Sequence, residues 1–231
     1  MCTLTQHDPR AVHRGFIQLS LVFGRQLGDF AVPSDLPRIV NVFAVPENVP
    51  IWTESGPVLG IWPFLPKYIG SIEQARKEAQ GAKTANARAE EMFDKPTWKE
   101  SALMRRCVIP LSSYVEYQHR GKVKVPYRFH RTDEDCIFVG GIWSTWHGGT
   151  TTFAICTMPP NRINAWVHNS KPRQPVILEN ESEIRQWMTP GGPESIESLL
   201  VPRDDDFLAT EETEGISGKR VENPPPAPPF D

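Results

Sequence analysis

Between residues 106 and 157, apolar side chains recur in short runs broken at close intervals by turn residues, the pattern of a strand meander. Cys107-Val108-Ile109, Tyr114 to Tyr117, Val123 to Phe129, Ile137 to Trp146 and Thr151 to Thr157 read as strands, with turns at Arg120-Gly121 and Gly148-Gly149. Upstream, Ile39 to Phe43 and Val49 to Trp52 read as strands flanking a turn. Helical signals are sparser: Ser71 to Gln80 with Ser71 as its cap, a short helix after Pro96, and Glu181 to Met188, which stops before Pro190-Gly191 and is expected to cap the core. Together these predict a mixed α/β (α+β) fold in which curved antiparallel sheets close into a barrel-like core with short flanking helices. Trp143, Trp146 and Trp166, in or near apolar runs, are expected inside it.

A chain of 231 residues accommodates one such domain, expected over 1–210. From Glu211 to Asp231 the composition turns acidic and proline-rich and has too little apolar surface to order itself, so 211–231 is expected to be a tail. No run of about 18 apolar residues occurs, and no basic-then-apolar leader opens the chain, which predicts a soluble protein that spans no membrane. Cys2, Cys107, Cys136 and Cys156 show neither C-x-x-C spacing nor a matching histidine cluster, so neither a metal site nor a disulfide framework is expected. The last three lie in apolar runs and read as buried reduced thiols of a cytoplasmic protein.

The formal net charge of −3 conceals an uneven distribution. Residues 67–131 hold 14 Lys/Arg against 7 Asp/Glu, whereas 179–231 hold 4 against 13. A phosphate-binding surface is therefore compatible with an acidic whole.

The residue that carries chemistry by itself is Cys2. Removal of Met1 would expose an α-amine and a thiol on adjacent carbons. An aldehyde condenses with the amine to an imine, and the thiolate closes it to a five-membered thiazolidine. The α-amine titrates near 8 and a free thiol near 8.5, so a useful nucleophilic fraction of each exists at neutral pH. The same N-terminal thiolate could instead attack an amide with its own amine as base, making the chain an N-terminal-nucleophile amidohydrolase that needs no DNA.

A series of motifs in order narrows this choice: Met1-Cys2; Asn41-Val42-Phe43-Ala44 with Pro46; Trp62-Pro63-Phe64-Leu65-Pro66; Asn86-Ala87-Arg88-Ala89-Glu90; Arg105 to Pro110 running into Tyr114-Val115-Glu116-Tyr117; Pro126-Tyr127; Gly140-Gly141-Ile142-Trp143; and His168-Asn169-Ser170 leading to Arg173-Gln174-Pro175. Over roughly residues 2–187 the chain resembles the SRAP family, the SOS response-associated peptidases, whose members process abasic sites in single-stranded DNA. Departures include Thr3 and Pro63 where glycine is usual, Gln174 where methionine is usual, and four residues between His168 and Arg173 where the family has one.

The resemblance implies that Cys2 crosslinks covalently to the ring-opened aldehyde of an abasic site, and that residues preceding the cysteine are removed autocatalytically. It assigns Glu116 to proton transfer at the Cys2 amine and imine, His168 to ring opening of the sugar, and Asn41 to positioning. Partial burial in an apolar strand would raise the Glu116 pKa, and histidine titrates near neutrality unaided. Arg88 and Arg173, with Asn86 orienting the contact, are implied to bind backbone phosphates, while Trp62, Phe64 and Pro66 would form a wedge for base stacking. The expected partner is single-stranded DNA with abasic sites, including single/double-strand junctions. The protein is expected to be monomeric, without a cofactor, and nucleoid-associated when on DNA.

Overall fold

The computed structural model describes residues 4–36, 38–133 and 135–213. In chain order the strands are β1 (Leu4–Gln6), β2 (Ile39–Asn41), β3 (Val49–Thr53), β4 (Gly56–Ile61), β5 (Asn86–Arg88), β6 (Arg106–Leu111), β7 (Ser113–Arg120), β8 (Val123–His130), β9 (Ile137–Thr145), β10 (Thr151–Met158), β11 (Gln174–Pro175), β12 (Ile177–Leu178) and β13 (Ala209–Glu212). The α-helices are α1 (Pro9–Phe23), α2 (Ile72–Lys77), α3 (Gln80–Thr84), α4 (Lys99–Met104), α5 (Arg162–Val167) and α6 (Glu181–Met188).

Strands β3, β4, β10, β9 and β6 each pair with the next, and β6 returns to β3, so the ring closes into a five-stranded barrel. A second sheet runs in the order β13-β8-β7-β1-β2. Along the barrel strands, alternate residues enter different apolar clusters. Cys107, Ile109, Leu111, Val139, Phe153 and Ile155 join Tyr114, Val125 and Phe129 of the second sheet. Val108, Ile142, Ala154 and Cys156 join Val12, Phe16, Ile184 and Trp187 from α1 and α6. Both faces of these strands are buried, which explains why they read as continuous apolar runs rather than strict alternations.

The expected covering helix is present over Glu181–Met188 with Asn180 as N-cap, and Trp187 is its anchor. The Trp187 ring lies where a Cβ on Gly140 would approach to 2.7 Å, and its Nε1 donates to the Cys107 carbonyl at 3.0 Å. Ser71 caps α2 as expected, its hydroxyl accepting from the Gln74 N–H. The helix ends earlier than expected, and α3 follows as a separate element. Residues 39–43 do not form one strand: β2 stops at Asn41, whose side chain caps a 3₁₀ turn over Val42–Ala44.

Helix α1 lies outside the expected elements. Asp8 caps it by accepting from the Arg10 and Ala11 N–H groups, Pro9 occupies its first turn, and Gly24 closes it at φ 60°. Its Val12, Phe16 and Leu19 stripe is fully buried.

Two expectations need correction. Trp143, Trp146 and Trp166 are half-buried at the margins of the core, packed against its clusters, whose fully buried tryptophans are Trp52, Trp62 and Trp187. Glu211 and Glu212 do not begin the tail: β13 pairs them with Arg128 and Tyr127, and the Thr213 N–H reaches the Pro126 carbonyl. Ion pairs from Arg128 to Glu211 at 3.1 Å and Arg120 to Glu212 at 3.6 Å hold that edge. The rest of the expected tail, 214–231, lies outside the described residues. Among the described residues no helix is long and apolar enough to cross a membrane. Cys107, Cys136 and Cys156 are buried and unbridged, and burial pushes their thiols up, Cys136 to about 12.

Candidate active site and the adjoining cleft

The second sheet brings the expected catalytic positions together. Strand β1 lies between β2 and β7, so Leu4 is opposite Asn41 on one side and Val115 on the other. Glu116 follows Val115 on β7 and is only 3% exposed. Burial penalises its charged form and pushes the carboxyl up to about 7. On the β7–β8 ladder Glu116 pairs with Tyr127.

His168 arrives from the other direction, at the C-terminal end of α5. Its Nδ1 lies 3.8 Å from Glu116 Oε2 and 3.4 Å from the Arg173 carbonyl oxygen. A carbonyl can only accept, so this contact favours the proton on Nδ1 and leaves Nε2 as the basic nitrogen. Both side chains of the pair are buried.

Three contacts between α5 and β7 set the register of that pair. Tyr114 donates to Asn164 Oδ1 at 2.8 Å, and Gln118 Nε2 donates to the Trp166 carbonyl at 3.1 Å. The Asn169 side chain closes both backbone groups of His119, accepting from its N–H and donating to its carbonyl, each at 3.0 Å. These positioning residues have no signal in the sequence beyond their proximity to Glu116 and His168, since each contact spans about fifty residues of chain.

Asn41 is exposed, and its Oδ1 accepts from the Phe43 N–H at 3.0 Å, so the amide nitrogen is the end left for other contacts. Cys2 lies outside the described residues.

Asn86, Arg88 and Arg173 line one cleft of about 510 Å³, together with Lys83, Lys95, Trp98 and Lys171. Strand β5 carries the first two and pairs in parallel with β10, which sets Arg88 opposite Thr157. The arginines are not open forks. Arg88 donates to Glu91 Oε1 at 2.8 Å. Arg173 is clasped by both oxygens of Glu90, one of them at 2.7 Å, and also donates to the Thr157 carbonyl at 2.7 Å. The bidentate edge expected to meet phosphate is thus turned to Glu90.

The expected stacking wedge is not formed by Trp62 and Phe64. Trp62 is 1% exposed, donates to the Ala85 carbonyl and stacks on Phe153 at 6.4 Å between ring centroids. Phe64 is buried edge-on against Trp98 at 5.0 Å. Only Pro66 of the three is partly open. Trp98, which Phe64 supports from behind, is the aromatic that reaches the cleft. Among the described residues, no group of three or more His, Cys, Asp or Glu is placed to hold a metal ion.

The chain is similar to known proteins in both sequence and fold. The family model described as SOS response associated peptidase (SRAP) matches residues 50–215. The abasic site processing protein YoqW of Bacillus subtilis strain 168 is 29% identical over 171 residues, covering 71% of this chain and 72% of its own length. The abasic site processing protein YoaM of the same organism is 31% identical over 154 residues, covering 64% of this chain and 63% of its own. A crystal structure of a protein from Bacteroides thetaiotaomicron superposes with a TM-score of 0.74 at 28% identity, over 91% of each chain. With its matched segment containing Asn86, Arg88, Glu116, His168 and Arg173, the chain belongs to the SRAP family.

Proposed function

We propose that this protein recognises abasic sites in single-stranded DNA and captures the ring-opened sugar through Cys2 as a thiazolidine crosslink, shielding the lesion. The observation that carries this reading is the buried Glu116–His168 pair beside the strand that leads from Cys2. Leu4, two residues after Cys2 in the sequence, lies between the Asn41 and Val115 positions.

The chemistry proceeds in three balanced steps. In ring opening, the hemiacetal hydroxyl gives up its proton, the bond from C1 to the ring oxygen breaks, and the ring oxygen is protonated. His168 Nε2 is suited to carry that proton, because Nδ1 faces the Arg173 carbonyl. The Cys2 amine then adds to the aldehyde carbon, and water leaves to form the imine. Glu116, with its carboxyl at about 7, is present in both protonation states at neutral pH and can protonate the departing hydroxyl. Finally the Cys2 sulfur adds to the imine carbon while the thiol proton ends on nitrogen. The Asn41 amide nitrogen is available to orient the sugar. Names borne by the YoqW and YoaM relatives support abasic sites as the substrate.

The test is incubation with an oligonucleotide carrying one abasic site, read by denaturing electrophoresis and intact mass. The expected adduct mass is protein lacking Met1 plus DNA minus one water, and Cys2→Ala should abolish it. An adduct formed equally well by Cys2→Ala, or by protein that retains Met1, would refute the proposal.

A further inference from the structure

We propose that Lys171 supplies a further grip on a backbone phosphate on the His168 side of the cleft, beside Arg173, and that the 169–172 loop is fastened at both ends to present it. This rests on the DNA-binding reading above and extends it to a residue from the additional length between His168 and Arg173.

Five cations line the cleft, and four already have carboxylate neighbours. Arg88 and Arg173 are hydrogen-bonded to Glu91 and Glu90. Lys95 Nζ stands 4.0 Å from Glu91 Oε2, and Lys83 Nζ stands 3.9 Å from Glu78 Oε2. Lys171 is exposed and has no ion-pair partner among the described residues, so a phosphate meets it without displacing a carboxylate. An ammonium is a point charge with rotatable donors and needs no planar approach. Arg173, by contrast, has its fork on Glu90, another donor on the Thr157 carbonyl, and a backbone carbonyl facing His168. It behaves as a strut joining three segments.

The loop between them is short and anchored. Asn169 is fixed to both backbone groups of His119, and Arg173 is fixed to Glu90 and Thr157. Three residues, Ser170, Lys171 and Pro172, bridge these anchors, and the proline ring restricts one of their backbone angles. Less conformational freedom is therefore lost when Lys171 binds than for a lysine on a slack loop.

The experiment is a salt titration of binding to a single-stranded oligonucleotide carrying a tetrahydrofuran abasic analogue, which cannot open and so reports non-covalent affinity. Lys171→Ala should weaken binding several-fold and lower the magnitude of the log Kd against log salt slope by about 0.7, the value for one single-strand phosphate contact. Lys171→Arg should retain the parent slope, as should Lys122→Ala in the turn between β7 and β8. Salt-dependent parent binding with an unchanged Lys171→Ala slope would overturn the assignment and leave the proposed function standing. A parent chain that fails to bind the oligonucleotide would overturn both.

Discussion

Two buried titratable groups near the N-terminal strand should oppose each other in the pH dependence of stability. Burial raises Glu116 from 4.5 to about 7 and lowers His7 from 6.5 to about 4. His7 is completely buried, with Nε2 3.0 Å from the Thr5 hydroxyl and, among the described residues, no hydrogen-bond partner for Nδ1. Glu116 contributes stability that is fully present below 4.5 and lost as pH rises through 7. His7 contributes stability that is present above 6.5 and lost as pH falls through 4. Each shift corresponds to about 3 kcal/mol at 1.36 kcal/mol per unit, so the two slopes nearly cancel between about pH 4.5 and 6.5. Glu116→Gln removes one of them. Relative to the parent, it should be nearly neutral at pH 4.5 and stabilised by up to about 3 kcal/mol at pH 8. His7→Gln should deviate in the opposite window, losing the destabilisation that the parent suffers on acidification. Urea denaturation of the three proteins at pH 4.5, 5.5, 6.5 and 8 measures this directly, and the common background of exposed carboxylates drops out of the differences. A Glu116→Gln difference that is the same at pH 4.5 and 8 would refute the claim that the carboxyl is buried at the cost of its charge.

Two further outcomes test the scaffold around the site. Gly140→Ala should destabilise by about 1–3 kcal/mol, because its Cβ would press on the Trp187 ring at 2.7 Å; a urea midpoint unchanged from the parent would show that α6 shifts freely. Asn169→Ala should slow saturated crosslinking by about tenfold, since His168 loses the clamp on His119 that sets its distance to Glu116. Its pH–rate profile should change along with the rate, and an unaltered rate would mean that Tyr114 and Gln118 hold the register alone.

Much of the architecture could be read from local pattern. The strands of the meander, the Ser71 cap and the Glu181–Met188 helix depend on near-neighbour chemistry, which a sequence displays directly. Helix α1 carries equally local signals in Asp8, Pro9 and Gly24, and its buried Val12, Phe16 and Leu19 have helical spacing. Thr151–Thr152 of β10 pairing in parallel with β4 is different in kind, because barrel closure joins segments ninety residues apart through backbone groups that every residue possesses.

The same division runs through the site. The reactive pairing of amine and thiol at Cys2 is covalent, and so the sequence alone determines it once Met1 is gone. The motif series likewise singled out Glu116 and His168, but their 3.8 Å separation exists only because β7 and α5 are clamped together, and the carboxyl is raised only because the fold buries it. Tertiary structure also decided matters of packing and pairing. Trp62 and Phe64 were equally compatible with a wedge or a core until packing against Phe153 and Trp98 decided it. Arg173, expected at phosphate, is paired with Glu90, eighty-three residues away. Residue type sets what a group can do, whereas burial and long-range partners decide which of those capacities remains, because desolvation and ion pairing depend on neighbours that chain order does not specify.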